Sequence, residues 1–278
     1  MTAPQRPSSG TRLPGRTLKR SFYRGDATCI APELLNKLFV RRDETGRVVM
    51  AARIVEVEAY AGSSDPASHA FGGETARNAV MFGEPGHMYV YFTYGMHWCA
   101  NVVCGPVDVA QAVLLRAAAP VIGLEAMAVA RGLVLSVAPG VEASDVGAPG
   151  RGVSGRGASG GPASRRRASA GGASGGPANG RPANGPANRE ARLRRNLTNG
   201  PARLCQAFGI TGQLDGADLV SGDSGLVLLD DRVPPPDPPG VSPRVGITRA
   251  VEREWRWYVP GDRNVTKLRP GRAKRQRK

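Results

Sequence analysis

Cysteine, histidine and lysine are all scarce in this sequence of 278 residues, and each shortage closes a route to function. The four cysteines, Cys29, Cys99, Cys104 and Cys205, lack the paired spacing of a metal ligand set or a redox dithiol. They read as small reduced core residues, which fits a reducing compartment, so the expected location is cytoplasmic. Three histidines and no His/Cys/Asp cluster give no reason to expect a metal, and no cofactor is expected. No apolar run reaches the roughly 20 residues of a membrane-spanning helix, and the N-terminus lacks the apolar centre of a secretory signal. Aromatic residues make up only 5% of the chain, so any local concentration of them is informative.

What is abundant is arginine. Lys and Arg total 38 against 23 Asp and Glu, a formal charge of +15. That balance suits a polyanionic partner, because each phosphate neutralised releases counterions. A composition rich in Arg, Gly, Ala and Pro produces the same excess without any such partner. The length is enough for one large domain with a sizeable core.

Residues 1–19 mix Pro, Gly, Ser and Arg without periodicity and read as a disordered basic arm. Asp26 to Leu38 reads as a helix with a capping residue, an early Pro and an end at Asn36, a residue that tolerates left-handed backbone. Strands follow at Phe39–Arg42 and Val48–Ile54 around an Asp43–Gly46 turn. Beyond the centre, Val109–Leu115 reads as a strand ending at Arg116, and Pro120–Arg131 as a helix. From about 134 to 189 the sequence becomes degenerate copies of a short Gly/Pro/Ala unit, such as Gly175-Gly176-Pro177-Ala178-Asn179. Such sequence cannot offset its ordering entropy, so a disordered insertion is expected. A helix over Leu197–Phe208, strands at Leu226–Leu229, Val245–Thr248 and Trp255–Val259, and a basic tail over 262–278 complete the reading.

The informative stretch runs from Ile54 to Arg116. Ile54-Val55-Glu56-Val57-Glu58-Ala59-Tyr60 alternates apolar and polar residues, as a strand with Glu56 and Glu58 on one face. A polar loop from Asp65 to Asn78 carries His69 and Arg77. Gly86 to Asn101 then reads as a hairpin turning at Tyr94-Gly95, with aromatic residues at its tip. An acidic strand beside an aromatic hairpin suits a site for something flat.

Glu58-Ala59-Tyr60, His69, Thr75-Ala76-Arg77-Asn78, Met81-Phe82, Tyr89-Val90-Tyr91, Tyr94-Gly95-Met96 and Asn101 occur in the order and spacing of the 3-methyladenine (alkyladenine) DNA glycosylase family. Leu114-Leu115-Arg116-Ala117, Gly200 to Ala207 and Arg244-Val245-Gly246-Ile247 extend the resemblance. It covers most of 20–130 and 192–260. The fold it implies is α+β: a single domain over 20–261 on a twisted antiparallel sheet, with surrounding helices and a protruding β-hairpin.

The resemblance implies an enzyme that flips alkylated or deaminated purines out of double-stranded DNA and hydrolyses the N-glycosidic bond with an activated water. A carboxylate then acts as base and as partner of the positive charge that develops on the sugar. The alternation does not choose between Glu56 and Glu58; the resemblance puts the catalytic role on Glu58 and leaves Glu56 a dispensable neighbour. Tyr60, His69, Tyr91, Asn101 and Arg116 would enclose the base, with Asn101 discriminating against guanine. Tyr94 would intercalate, and Arg77 and Met96 would contact DNA. No lysine lies in the central stretch, so no Schiff base is expected. A monomer with no membrane partner is expected. A DNA-binding module without catalysis and an RNA-binding protein driven by its basic ends are the competing readings.

Overall fold

The computed structural model describes residues 13–134 and 186–267. Its framework is one antiparallel sheet of β1 (Arg16–Thr17), β2 (Leu38–Arg42), β3 (Val48–Ala61), β4 (Met88–Thr93), β5 (His97–Cys104), β6 (Gln111–Ile122), β7 (Leu226–Asp230), β8 (Gly240–Ser242) and β9 (Arg256–Tyr258). The main path is β1-β7-β2-β3-β6-β5-β4, and β9 joins the far half of β3 with β8 beside it. Among the described residues four α-helices accompany it: α1 (Ala27–Leu34), α2 (Leu124–Ala130), α3 (Pro186–Arg195) and α4 (Pro201–Phe208). This is the expected α+β class.

Alternation along the strands sorts the residues between the two faces. Val57 and Ala59 of β3, Met88 and Val90 of β4, Ala100 and Val102 of β5, and Val113 and Leu115 of β6 point into the main core, where α1 and α4 pack. Their neighbours Glu58, Asn101 and Leu114 occupy the opposite face. There one row crosses five strands through paired positions: Arg256, Glu58, Leu114, Asn101 and Tyr89. The first face carries the main core, and the second carries this row beside a smaller buried cluster that includes Tyr89, Val103 and Ala112.

Several local expectations change. The strand beginning at Val48 does not stop at Ile54 but continues to Ala61. β6 runs to Ile122, so Pro120 belongs to a strand and the helix after it starts only at Leu124. Val245–Thr248 forms no strand; β8 lies earlier, at Gly240–Ser242. α4 begins at Pro201, a position that suits proline because its missing N–H would have no partner there. Thr198 hydrogen-bonds the carbonyl of Ala118 instead of capping that helix. Asn36 does end the α1 region at φ 65°, as its type allows.

The outer boundaries also move. Of the expected basic arm, residues 1–12 lie outside the described residues, but Arg16 and Thr17 pair with Asp230 and Leu229 of β7. Residues 135–185 of the low-complexity insertion also lie outside them, and its final residues from Pro186 are the first turn of α3. The start of the expected basic tail is tied to the sheet through Thr266, and residues 268–278 are not described.

Candidate active site

Register positions the first functional side chains. Between Glu56 and Val57 the pairing with β6 jumps from Ala117 to Leu115, which leaves Arg116 as the extra residue of a bulge. Bulges re-aim side chains, and this one turns Arg116 toward both carboxylates of β3. Arg116 Nε donates to Glu56 Oε1 at 2.7 Å, and its Nη1 lies 3.1 Å from Glu58 Oε1.

Glu58 is fully buried. Oε1 accepts from the Val245 backbone N–H at 2.7 Å and forms an ion pair with Arg116, and Oε2 accepts from the Tyr60 hydroxyl at 2.9 Å. Each carboxylate oxygen has about two lone-pair positions, so Oε2 keeps one open. Burial, with the Glu58 carboxylate second, pushes the Tyr60 phenol well above its usual pKa, so Tyr60 stays a donor.

In front of this carboxylate is a cavity of about 570 Å³. Tyr60, His69, Tyr91, Asn101 and Arg116 all line it, so the structure gathers every residue expected around a base. Glu58 itself lies behind Tyr60 and Arg116 and not on the cavity surface. One wall is a ladder of cross-strand pairs from β4 and β5: Tyr89 with Asn101, Tyr91 with Cys99, and Thr93 with His97. His69 packs edge-on to Tyr91, with ring centroids 4.4 Å apart, and its Nδ1 is 3.0 Å from the Tyr89 hydroxyl. Burial and, less strongly, the Arg77 charge hold the His69 pKa below its usual value, so its ring is neutral at pH 7. Burial pushes the Tyr89 hydroxyl up to about 12. Asn101 donates to the Tyr89 carbonyl at 3.1 Å, which leaves its carbonyl oxygen and second amide hydrogen for the cavity.

Tyr94 is also on the cavity lining, at the hairpin tip, where it is 80% exposed beside the 66% exposed Met96. Tyr94 and Gly95 both take positive φ, 52° and 64°, as tight hairpin turns require. Arg77 is exposed, donates to the Phe92 carbonyl at 3.0 Å and sits over the Tyr91 ring, so it braces the hairpin from outside the cavity. His97 faces the cavity, and Trp98 turns the other way to pack against Phe92.

Three features escaped the sequence. The segment Val245–Arg249, which an alternation argument makes a strand, is a loop that closes the cavity and supplies a hydrogen bond to Glu58. Arg244 anchors it: buried, it donates to both Asp65 oxygens, 2.8 Å at Oδ1, and stacks between Tyr60 and Trp255. Glu56 is no bystander, because it accepts from Arg116, Arg256 and Thr266 while fully buried. The only signal for the first two was the run Arg244-Val245-Gly246-Ile247, whose resemblance had no secondary-structure reason. Among the described residues no group of His, Cys, Asp and Glu is arranged to hold a metal ion, and no helix is long and apolar enough to cross a membrane.

Comparison with known proteins points to one family. The family model for methylpurine-DNA glycosylase matches residues 21–141 and 175–263, leaving out the two ends of the chain and the middle of the low-complexity segment. A Burkholderia lata protein provisionally named as a 3-methyladenine DNA glycosylase is 41% identical over 255 residues, covering 92% of this chain and 93% of its own length. Proteins given the same provisional name from Streptomyces avermitilis and Chlorobaculum parvum are 36% and 35% identical, each across at least 94% of this chain. The chain belongs to the methylpurine-DNA glycosylase family of DNA glycosylases.

Proposed function

We propose that this protein flips alkylated or deaminated purines, of the 3-methyladenine and hypoxanthine kind, out of duplex DNA and hydrolyses their glycosidic bond. The observation that carries this reading is one cavity that joins Tyr60, His69, Tyr91, Asn101 and Arg116 in front of a buried Glu58 whose Oε2 accepts only from Tyr60. Its volume of about 570 Å³ is in the range of small-molecule sites.

The geometry supports a role for each residue. Tyr91 and His69 offer a ring face and a ring edge to a flipped base, and stacking contributes roughly 1–3 kcal/mol per base. Neutral His69 uses Nδ1 on the Tyr89 hydroxyl and leaves Nε2 to meet the base. Asn101 meets the base edge with its free amide groups, and the exocyclic amino group of guanine is what it would exclude. Tyr94 fills the gap left in the duplex, flanked by Met96, with Arg77 at the phosphates. Glu58 takes the proton of a water through Oε2, and its charge opposes the positive charge growing on the sugar. That water enters between Tyr60 and Arg116, and its hydroxide bonds to C1′ as the base leaves with the bonding electrons.

Single-turnover reactions on duplexes carrying hypoxanthine or 3-methyladenine test the reading. Free base and an intact abasic strand are expected, with no protein–DNA adduct trapped by borohydride. A trapped adduct, or tight lesion binding without excision, would overturn it.

A further inference from the structure

We infer that Glu56 is a positioning residue for this reaction: it occupies the Nε edge of Arg116, so that Arg116 meets Glu58 through one contact and leaves Oε2 of Glu58 open. The inference rests on the role of Glu58 proposed above.

Arginine prefers to grip a carboxylate through two parallel N–H groups. Glu58 does not receive that grip, although Arg116 is buried beside it: Nη1 reaches Oε1 at 3.1 Å, and Nε is already spent on Glu56 at 2.7 Å. Without Glu56, the fork would be free to close on both oxygens of Glu58, using the lone pair that a water needs. The fixed division of Arg116 depends on how firmly Glu56 is held. Oε1 also accepts from Arg256 Nε at 2.8 Å and from the Thr266 hydroxyl, and Oε2 accepts from the Thr266 backbone N–H at 2.6 Å. Arg256 is anchored in turn by the Ser242 hydroxyl and the Thr266 carbonyl. Two carboxylates and two guanidiniums balance in charge, so the cluster can stay buried. Burial opposes ionisation of Glu56, but Arg116, Thr266 and Arg256 together outweigh it and hold its carboxyl below the usual range. Thr266 comes from the C-terminal segment, which thereby braces the site through Glu56.

The test is single-turnover excision and lesion-duplex affinity for full-length Glu56→Gln, Glu56→Asp and Thr266→Val, with Glu58→Gln beside them. Glu56→Gln should slow excision about 10²-fold, the scale of a misplaced catalytic group, with affinity within about threefold of wild type. Glu56→Asp should recover part of the rate. Thr266→Val, at a half-buried position, should slow excision in the same way by a smaller factor, and it decides the matter if Glu56→Gln does not fold. A wild-type rate in the folded variants would overturn the inference, as would equal losses of affinity and rate. Normal excision by Glu58→Gln would instead sink the functional reading itself.

Discussion

Replacing Tyr94 separates protein stability from DNA recognition. The side chain is 80% exposed, and its backbone is left-handed at φ 52°, a conformation costing on the order of 1 kcal/mol for a residue with a Cβ. An aromatic ring placed there gains almost nothing for the fold, so folding does not explain its presence. Tyr94→Asn, which tolerates left-handed backbone, should leave the thermal midpoint within about 2 °C of wild type, the shift that a few tenths of a kcal/mol produce. On DNA the loss should be larger. If the ring replaces the stacking of a flipped base, about 1–3 kcal/mol is forfeited, or roughly 5- to 150-fold in the flipped population. Single-turnover excision at saturating enzyme should fall in that range for a lesion in a stable pair, and less for a mispaired lesion that costs less to unstack. Equal losses on both duplexes, or a midpoint lowered by several degrees, would refute the reasoning and make Tyr94 a packing residue.

Three further outcomes are expected. Asp65→Asn strands buried Arg244 and should destabilise the protein by about 3–5 kcal/mol, the cost of breaking a buried pair from one side. Burial opposes the charge of Asp65, but Arg244 outweighs it and lowers the folded pKa. Its stabilisation is therefore complete above the unfolded value of about 3.9 and lost as pH falls through the folded one, and the variant should lack that loss in urea titrations. NMR titration of His69 should give a midpoint below 6.5 that rises in Arg77→Ala; a midpoint at or above 6.5 in the wild type would contradict its burial. Removing residues 142–174, which the family match omits, should leave excision and thermal midpoint unchanged, and loss of cooperative unfolding would show that the segment is structural.

The sheet and its site were legible where the pattern was local. The alternation of Glu56, Glu58 and Tyr60 with Val57 and Ala59 does separate two faces, and Tyr94-Gly95 does turn a hairpin. Alternation misled at Val245–Thr248, where the backbone is recruited by the loop's partners: Val245 by Glu58, and neighbouring Arg244 by Asp65. Those contacts link residues 187 and 179 apart in sequence, and no local period encodes them. The same holds for Thr266 and Glu56, 210 apart, which is why the tail looked free and Glu56 dispensable. The two residues of β1 are too few to show any period. Neither alternation nor burial distinguishes the roles of Glu56 and Glu58, since both are fully buried on one face. Hydrogen bonding distinguishes them: Glu56 accepts four hydrogen bonds, whereas Glu58 accepts two and lies behind two residues of the cavity wall.

The central claim is that Glu58 drives hydrolysis, and Glu58→Gln tests it most directly. Glutamine keeps the size and the Oε1 acceptor for Val245 and Arg116, and Tyr60 can turn from donor to acceptor to meet the new amide. Binding to a lesion duplex should therefore persist within about tenfold. Single-turnover excision should fall by at least about 10²–10⁴-fold, the contribution of a general base, with charge stabilisation lost in addition. A folded Glu58→Gln protein that releases the damaged base at the wild-type rate would contradict the account.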